Sequence, residues 1–284
     1  MKIGIIPVNV GVGSVEKIVG LAQKAEQVGV ESLWTFEHVI VPENYESRYP
    51  YSPNGKMATT PDTNFVDPLI ALSVVAAHTQ TVRLGTGVNI LPQVNPLLLA
   101  KQAASLDFVS NGRFMLGVGI GWLREEFDAM GVSFKRRGAR FDDYIQAMRK
   151  VWAGPEVSHE SEFLNWQGFK SYPIPKNLSV VIGGSKGKAF QRTARYGDGY
   201  FAPGAGVEQL KPLLGQLADA CREEGRNRDE IEVTAMWMGL AEGVDSLPGY
   251  ADIGVDRLVI PLPALGGNPV EALDKLGSEV IAKQ

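Results

Sequence analysis

A glutamate and a histidine stand side by side at residues 37 and 38, in the stretch "WTFEHVIVP". The residues before them, "SLWTF", form a short apolar run that predicts a buried β-strand. A histidine can accept or donate a proton near neutral pH. At the end of a strand, His38 is therefore a candidate contact for a cofactor or for the site of proton exchange, the alternative being a packed or solvated side chain. Glu37 either orients this imidazole or caps the loop that follows.

The remaining reactive side chains do not form a recognisable catalytic group. His38, His78 and His159 are scattered without the spacing of metal ligands, so a catalytic metal is not expected. Cys221 has no evident base nearby, and the chain contains no G-x-S-x-G elbow. No lysine follows a predicted strand directly, since Lys186 lies in a glycine-rich loop. The sequence thus disfavours metal, covalent and Schiff-base chemistry.

Three glycine-containing stretches remain. The first, "GVGIGW" (117–122), has a tryptophan where a dinucleotide fingerprint needs its last glycine. The second, "GGSKGKA" (183–189), lacks the register and the final Ser or Thr of a P-loop. It nevertheless joins a strand to a helix start, which presents free backbone N–H groups to an anion. We therefore predict a phosphate site there, formed by Gly183, Gly184, Ser185 and Gly187.

The third stretch, "LGTGVNILPQVNP" (84–96), has strand composition but no reactive side chain. Glycine inside a strand marks either a bulge or a place where another group approaches the backbone closely. The positions at which we expect such an approach are Gly85 and Gly87.

Short β-branched runs alternate with longer amphipathic runs along the whole chain. Strands are predicted at 2–8, 32–36, 82–88, 114–119, 179–183, 199–202, 231–237 and 257–261. Helices are predicted at 15–28, 68–78, 96–110, 136–152, 188–196, 207–224, 247–253 and 271–282. Eight such units favour an α/β fold, a (β/α)8 TIM barrel formed by one domain over residues 1–284. A doubly wound open sheet is the alternative.

Two segments depart from a minimal barrel. The connection 37–66 is rich in Tyr, Pro and Asn, and in a barrel the loop after strand 2 lies on the catalytic face. We predict that it is a substrate lid. Alternation around residues 155–167 predicts a small inserted hairpin.

Composition excludes several classes of protein. The 284 residues carry a net charge of −4 with no basic stripe, which disfavours a nucleic-acid partner. No apolar run is long enough to span a membrane, and the first residues do not read as a signal peptide. With a single cysteine, we expect a cytoplasmic protein.

Several stretches together resemble the luciferase-like monooxygenase superfamily of flavin- and deazaflavin-dependent barrels. They are "SLWTFEHVIVP", "RLGTGVNILPQVNPLLLAKQAASLDFVSNGRFMLGVGIGWLREEFDAMG", "KRRGARFDDYIQAMRKVW" and "VVIGGSKGKAFQRTARYGDGY". The long second block is similar to the subgroup that uses the deazaflavin coenzyme F420. The resemblance implies a non-prolyl cis peptide at Gly87–Val88, whose bulge backs the cofactor ring.

The resemblance also implies roles for individual residues. His38 would lie beside the deazaflavin ring, and Gly183, Gly184 and Ser185 would hold the phosphate. The glycines after strand 4 that would border the ring or its ribityl chain are Gly119 and Gly121.

One position departs from the family's sugar-phosphate dehydrogenases. Trp122 stands where those enzymes carry a catalytic glutamate, so we do not expect that activity. We expect Glu125 and Glu126, one helical turn on, to be ion-paired helix residues and not acids of the site.

The function implied is hydride transfer between reduced F420 and a small organic substrate with an activated C=C, C=N or C=O. One alternative is an FMN-dependent monooxygenase supplied with reduced cofactor by a partner reductase. Another is a non-catalytic flavin-binding protein. By analogy with such barrels, a homodimer is expected.

Overall fold

The computed structural model describes residues 1–154, 156–204, 206–238 and 242–283. Nine strands form one closed parallel sheet: β1 (Lys2–Ile6), β2 (Ser32–Thr35), β3 (Arg83–Thr86), β4 (Asn89–Ile90), β5 (Phe114–Gly119), β8 (Ser179–Gly183), β9 (Gly199–Phe201), β10 (Glu232–Met236) and β11 (Arg257–Pro261). β1 pairs with β2 on one side and with β11 on the other, and pairing of β3 with β5 closes the ring. The predicted barrel is therefore confirmed, and the open sheet is wrong.

The third predicted strand differs from the expectation, because it is divided. β3 ends at Thr86 and β4 begins at Asn89, with a cis peptide bond joining Gly87 to Val88 between them. This is the position that the family resemblance implied. β3 pairs with both of its neighbours, whereas β4 pairs with β5.

Ten α-helices occur in the described residues: α1 (Val15–Gln27), α2 (Pro68–His78), α3 (Pro96–Val109), α4 (Arg124–Ala129), α5 (Arg137–Ala153), α6 (Ala189–Tyr196), α7 (Val207–Glu223), α8 (Leu247–Asp252), α9 (Leu262–Leu265) and α10 (Pro269–Glu279). All eight predicted helices are present, within three residues of their expected ends. α4 and α9 are additional, and they are too short to show a hydrophobic period.

Three of the helices, α2, α3 and α10, begin at an Asx–Pro pair. The Asp67 side chain accepts hydrogen bonds from the backbone N–H groups of Leu69 and Ile70. Asn95 does the same at the start of α3. Because proline lacks the N–H that the first turn leaves unpaired, Pro68 and Pro96 suit the position that follows each cap.

The barrel interior is filled by large apolar side chains, among them Ile6, Trp34, Met115, Val181, Phe201 and Val259. Gly85 makes room for one of them, since a Cβ there would lie 2.3 Å from the Trp34 ring. At the opposite end from the strand carboxyl termini, the fully buried Arg257 pairs with Glu31 and Glu232. A second, larger core lies between the strands and the surrounding helices.

Two insertions lie outside this barrel. An antiparallel hairpin of β6 (Val157–Glu160) and β7 (Asn165–Phe169) occupies the region predicted for a hairpin, except that Pro155 lies outside the described residues. The loop 37–66 forms no helix or strand, and Phe65 makes one isolated bridge to Val10. Among the described residues, no helix has the length and apolar character needed to cross a lipid bilayer.

Candidate active site

A cavity of about 220 Å³ lies at the carboxyl ends of the first barrel strands, beneath the loop 37–66. Its wall is largely apolar and aromatic, and none of the described residues that line it is Lys or Arg. The polar groups of the wall are few: Glu37, His38, Thr59, Gln93 and Glu126, together with the hydroxyls of Tyr49 and Tyr51.

His38 is held in this wall by a glutamate from a distant part of the chain. Its Nδ1 lies 3.0 Å from Oε2 of Glu126, which α4 brings to the cavity. The other carboxylate oxygen, Oε1, accepts the backbone N–H groups of Val39 at 2.7 Å and Ile40 at 3.3 Å. Only 2% of the Glu126 side chain is exposed, so this carboxylate fixes both the imidazole and the start of the loop.

This geometry corrects one expectation. Glu126 lines the cavity and contacts His38, so it is an acid of the candidate site and not a peripheral helix residue. Glu125 does not line the cavity, and its carboxylate accepts backbone N–H groups of the loop 37–66. Sequence reasoning missed Glu126 because its direction depends on the short helix α4, which buries the side chain of Glu126 and leaves that of Glu125 outside the cavity.

Glu37 also lines the cavity but does not orient His38. Its two carboxylate oxygens accept the side-chain amide of Asn89 and the backbone N–H of Ile90, both just after the cis bond. Burial raises the pKa of Glu37 to about 7, and the nearby charges of Glu126 and Asp67 act in the same direction. Glu37 thus links the end of β2 to β4 and can exchange a proton near neutral pH.

Gly87 and Val88 form the part of the wall that carries no reactive group. The Val88 side chain extends over the neighbouring strands: a Cβ on Gly119 would lie 2.7 Å from it, and a Cβ on Gly183 would lie 3.0 Å from it. These two glycines therefore leave space for Val88. Gly121, with a φ of +75°, lines the cavity directly.

The predicted phosphate residues lie beside the cavity and not in its wall. They fall at the end of β8 and in the loop 184–188, which leads into α6. Gly184 and Gly187 have φ values of +129° and +62°, which favour glycine, and the Tyr200 hydroxyl donates to the carbonyl of Gly184 at 2.9 Å. The side chain of Ser185 lies close enough to the Tyr51 hydroxyl, in the cavity wall, for the two to interact.

The loop 37–66 covers the cavity through two kinds of contact. Glu125 Oε1 accepts the backbone N–H groups of Glu46 at 2.7 Å and Ser47 at 3.1 Å. The Trp122 ring packs edge-on against the rings of Tyr45 and Tyr49. The tyrosine-rich loop is therefore placed as a lid over the barrel mouth.

The cavity wall fits the polar edge of a flavin-type ring. Gln93 Oε1 and Thr59 Oγ1 are buried and have no hydrogen-bond partner among the described residues. Unpaired buried polar atoms are costly unless a ligand or water satisfies them. The carbonyl and N–H groups of such a ring could do so, while its apolar face would lie against Val88.

The predicted residues thus fall into two groups. Glu37, His38, Gly87, Val88 and Gly121 come together in the cavity wall. The others do not line it: Gly85 faces Trp34, Gly119 and Gly183 lie behind Val88, and Gly184, Ser185 and Gly187 follow β8.

Comparison with known proteins identifies the family of the chain. Residues 5–238 match the luciferase-like monooxygenase family. An uncharacterised protein of Mycobacterium tuberculosis is 30% identical over 239 residues, which cover 84% of this chain and 79% of that protein. The F420-dependent glucose-6-phosphate dehydrogenase of Amycolatopsis mediterranei is 28% identical over 228 residues, 76% of this chain and 63% of that enzyme.

A solved structure has the same fold over its whole length. An F420-dependent secondary alcohol dehydrogenase, in complex with an F420–acetone adduct, superposes with a TM-score of 0.80. The two are 15% identical, and the match covers 100% of this chain and 99% of that one. With the barrel, the divided third strand and the family match in agreement, the chain belongs to the luciferase-like monooxygenase family and is an oxidoreductase of that type.

Proposed function

We propose that the protein is an F420-dependent oxidoreductase that transfers a hydride between the reduced deazaflavin and a small organic substrate with an activated C=C, C=N or C=O. The observation that carries this proposal is an apolar cavity with the unreactive Gly87–Val88 wall and the His38–Glu126 pair in the same lining. When bound, the deazaflavin supplies the hydride chemistry that the side chains lack.

In this proposal His38 exchanges the proton that accompanies the hydride. Its Nδ1 is engaged by Glu126, which leaves Nε2 as the nitrogen able to face a substrate atom. Glu126 orients the imidazole, as the third member of a catalytic triad does. Glu37 is a second proton-exchanging group, since its pKa lies near 7.

The wall also limits the substrate. With carboxyl groups at Glu37 and Glu126 and no cationic residue described in the lining, the cavity favours a neutral, largely apolar molecule. A sugar phosphate would bring an anion into this wall without a partner. Trp122, which fills the position of the glutamate expected in sugar-phosphate dehydrogenases, points to the same restriction.

The test is a fluorescence titration of the purified apoprotein with F420 and with FMN, each oxidised and reduced. We expect F420 to bind at least about tenfold more tightly than FMN, a difference of about 1.4 kcal/mol. Tighter binding of FMN would overturn the proposal and favour the FMN monooxygenase, whose turnover would consume oxygen and need a reductase. Tight binding without turnover on any carbonyl or unsaturated substrate would favour the non-catalytic alternative.

We also propose that the protein is a homodimer formed through α2 and α3. These helices pack side by side and expose large apolar side chains on their outer faces: Ile70, Leu98, Phe108 and Val109. An isologous contact between two copies would bury these faces. Light scattering should give a dimer for the wild type and for Val15→Glu, and a monomer for Phe108→Glu; a monomeric wild type would contradict the proposal.

A further inference from the structure

Two arginines without carboxylate partners lie over a single phenylalanine ring. The guanidinium carbons of Arg124 and Arg137 are 4.3 and 3.9 Å from the centroid of Phe134. Within the described part of the chain, neither guanidinium forms an ion pair. This is unusual in a protein of net charge −4, where most other arginines are paired with Asp or Glu.

These arginines lie directly behind the cavity wall. Arg137 Nε donates to the carbonyl of Gly121 at 3.2 Å, and Gly121 lines the cavity. The Phe134 ring packs edge-on against Phe127, another residue of the wall, at 5.3 Å. The pair is thus one residue layer from the candidate cofactor site.

Arg137 also lies near the helix that follows the loop predicted to hold phosphate. It lies close enough to Arg192 of α6 for the two charges to interact, and α6 begins directly after the loop 184–188. β5 and β8 are parallel neighbours, so the segments that follow them leave the same edge of the barrel. Arg137 is therefore near both the cavity wall, through Gly121, and α6, the helix that follows the phosphate loop.

The segments that follow the neighbouring strands β5 and β8 carry more cations than one phosphate requires. Lys186 and Lys188 of the loop are exposed and, like the two arginines, have no carboxylate partner among the described residues. Burial and then the charges of Arg124 and Arg192 lower the pKa of Arg137, as expected where like charges are crowded together. Carboxylates or phosphates bound between these groups would relieve that repulsion.

The cavity itself does not favour the binding of an anion. Its lining carries carboxyl groups and, in the described residues, no cation. An anionic part of any ligand is therefore better accommodated outside the cavity, along the edge that carries Arg124 and Arg137.

Resting on the proposed function, we propose that Arg124 and Arg137 bind a carboxylate-rich extension of the cofactor that lies beyond its phosphate. FMN ends at its phosphate, whereas F420 continues from its phosphodiester into a chain of linked glutamates. The two arginines are then specificity-determining residues that favour a glutamylated deazaflavin over shorter cofactors.

The experiment is a fluorescence titration of the full chain with two probes: F420 carrying several glutamates, and the form of F420 that ends before the first glutamate. We expect the wild type to bind the glutamylated form about tenfold more tightly. Because the Debye length falls from about 10 Å at 0.1 M salt to about 3 Å at 1 M, the difference should largely disappear at 1 M salt.

Variants separate this inference from general damage. Arg124→Gln removes a guanidinium that lies over the Phe134 ring and should reduce the preference about threefold; Arg124→Gln/Arg137→Gln should abolish it. Binding of the unglutamylated form should be unchanged in Arg124→Gln. The matched control Arg195→Gln/Arg222→Gln, at two exposed arginines on α6 and α7, should keep the full preference.

The outcomes distinguish the two proposals. Equal affinity of the wild type for both probes would overturn the arginine inference and leave the proposed function standing. Equal losses for both probes in the arginine variants would also overturn it. If neither form of F420 binds and FMN binds instead, the proposed function and this inference are overturned together.

Discussion

His38 Nδ1 and Glu126 Oε2 lie 3.0 Å apart although 88 positions separate them in the chain. The histidine follows β2, whereas the glutamate is on α4, after β5. The closed barrel brings these segments together because β3 pairs with both β2 and β5. The contact joins a group that can exchange protons to a carboxylate that also holds the start of the lid.

This contact predicts that Glu126 acts through His38. Glu126→Gln should lower the rate of hydride transfer at saturating substrate by about 10- to 100-fold, because the imidazole loses its charged hydrogen-bond acceptor. Glu125→Gln is the matched control, since that residue binds the lid backbone and not His38; it should change the rate much less. Single-turnover kinetics measures both.

A double-mutant cycle separates positioning from simple damage to the fold. In the His38→Asn background, Glu126→Gln should cost little further rate, since the group it orients is gone. Additive effects of the two substitutions would show that Glu126 acts independently of His38.

Glu37 should make the stability of the protein depend on pH. A carboxyl whose pKa is raised from 4.5 to about 7 on folding binds a proton more tightly in the folded state. The free energy of unfolding should therefore fall as pH rises from about 5 to about 8, by about 3 kcal/mol in total. Urea denaturation of wild type and Glu37→Gln across this range should give a difference with this slope; parallel curves would mean that Glu37 does not titrate there.

The barrel could be predicted from the sequence because its signal is repeated eight times. Each β-branched run and each amphipathic run supports the same parallel topology, so errors of a few residues at their ends do not change the fold. The cis peptide that divides the third strand was predicted from a family resemblance and not from periodicity, which reads "VRLGTGV" as one continuous strand.

The candidate site could be predicted only in part. His38 and Glu37 are visible because they directly follow a strand. Their partners, Glu126 and Asn89, depend on which strands become neighbours and on the direction in which a six-residue helix faces. The glycines illustrate the same limit, since Gly119 and Gly183 border the side chain of Val88, a contact between distant strands.

Gly117 provides a test of the close packing around the divided strand. A Cβ there would lie 1.7 Å from the backbone oxygen of Thr86, whose hydroxyl also bonds both backbone polar groups of Gly117. Gly117→Ala should therefore lower the free energy of unfolding by more than about 3 kcal/mol or prevent folding. The control Gly20→Ala, in α1 where no atom lies within 4 Å, should raise it by up to about 1 kcal/mol. Urea denaturation measures both.

Substitution of Arg257 tests the contribution of the buried ion pairs at the amino-terminal end of the barrel strands. Its fully buried guanidinium pairs with Glu31 and Glu232, so Arg257→Leu leaves two carboxylates without their main partner. We expect a loss of about 3–5 kcal/mol in the free energy of unfolding. Arg222→Leu removes an exposed pair with Asp219 and should cost less than about 1 kcal/mol. Similar losses for the two variants would contradict the importance assigned to the buried pairs.

The interaction between Tyr51 and Ser185 predicts how the lid opens. Tyr51 belongs to the lid, whereas Ser185 belongs to the loop after β8, so this polar contact joins two segments at the barrel mouth. Tyr51→Phe keeps the ring that packs against Tyr49 but removes the hydroxyl. A polar contact of hydrogen-bond strength contributes about 1 kcal/mol, so the open population should rise about fivefold, and limited proteolysis within 37–66 should accelerate to the same extent. Tyr45→Phe is the matched control, because the Tyr45 hydroxyl accepts the backbone N–H of Met57 inside the lid itself. Equal cleavage rates in the two variants would show that the lid is held by Glu125 and the aromatic contacts alone.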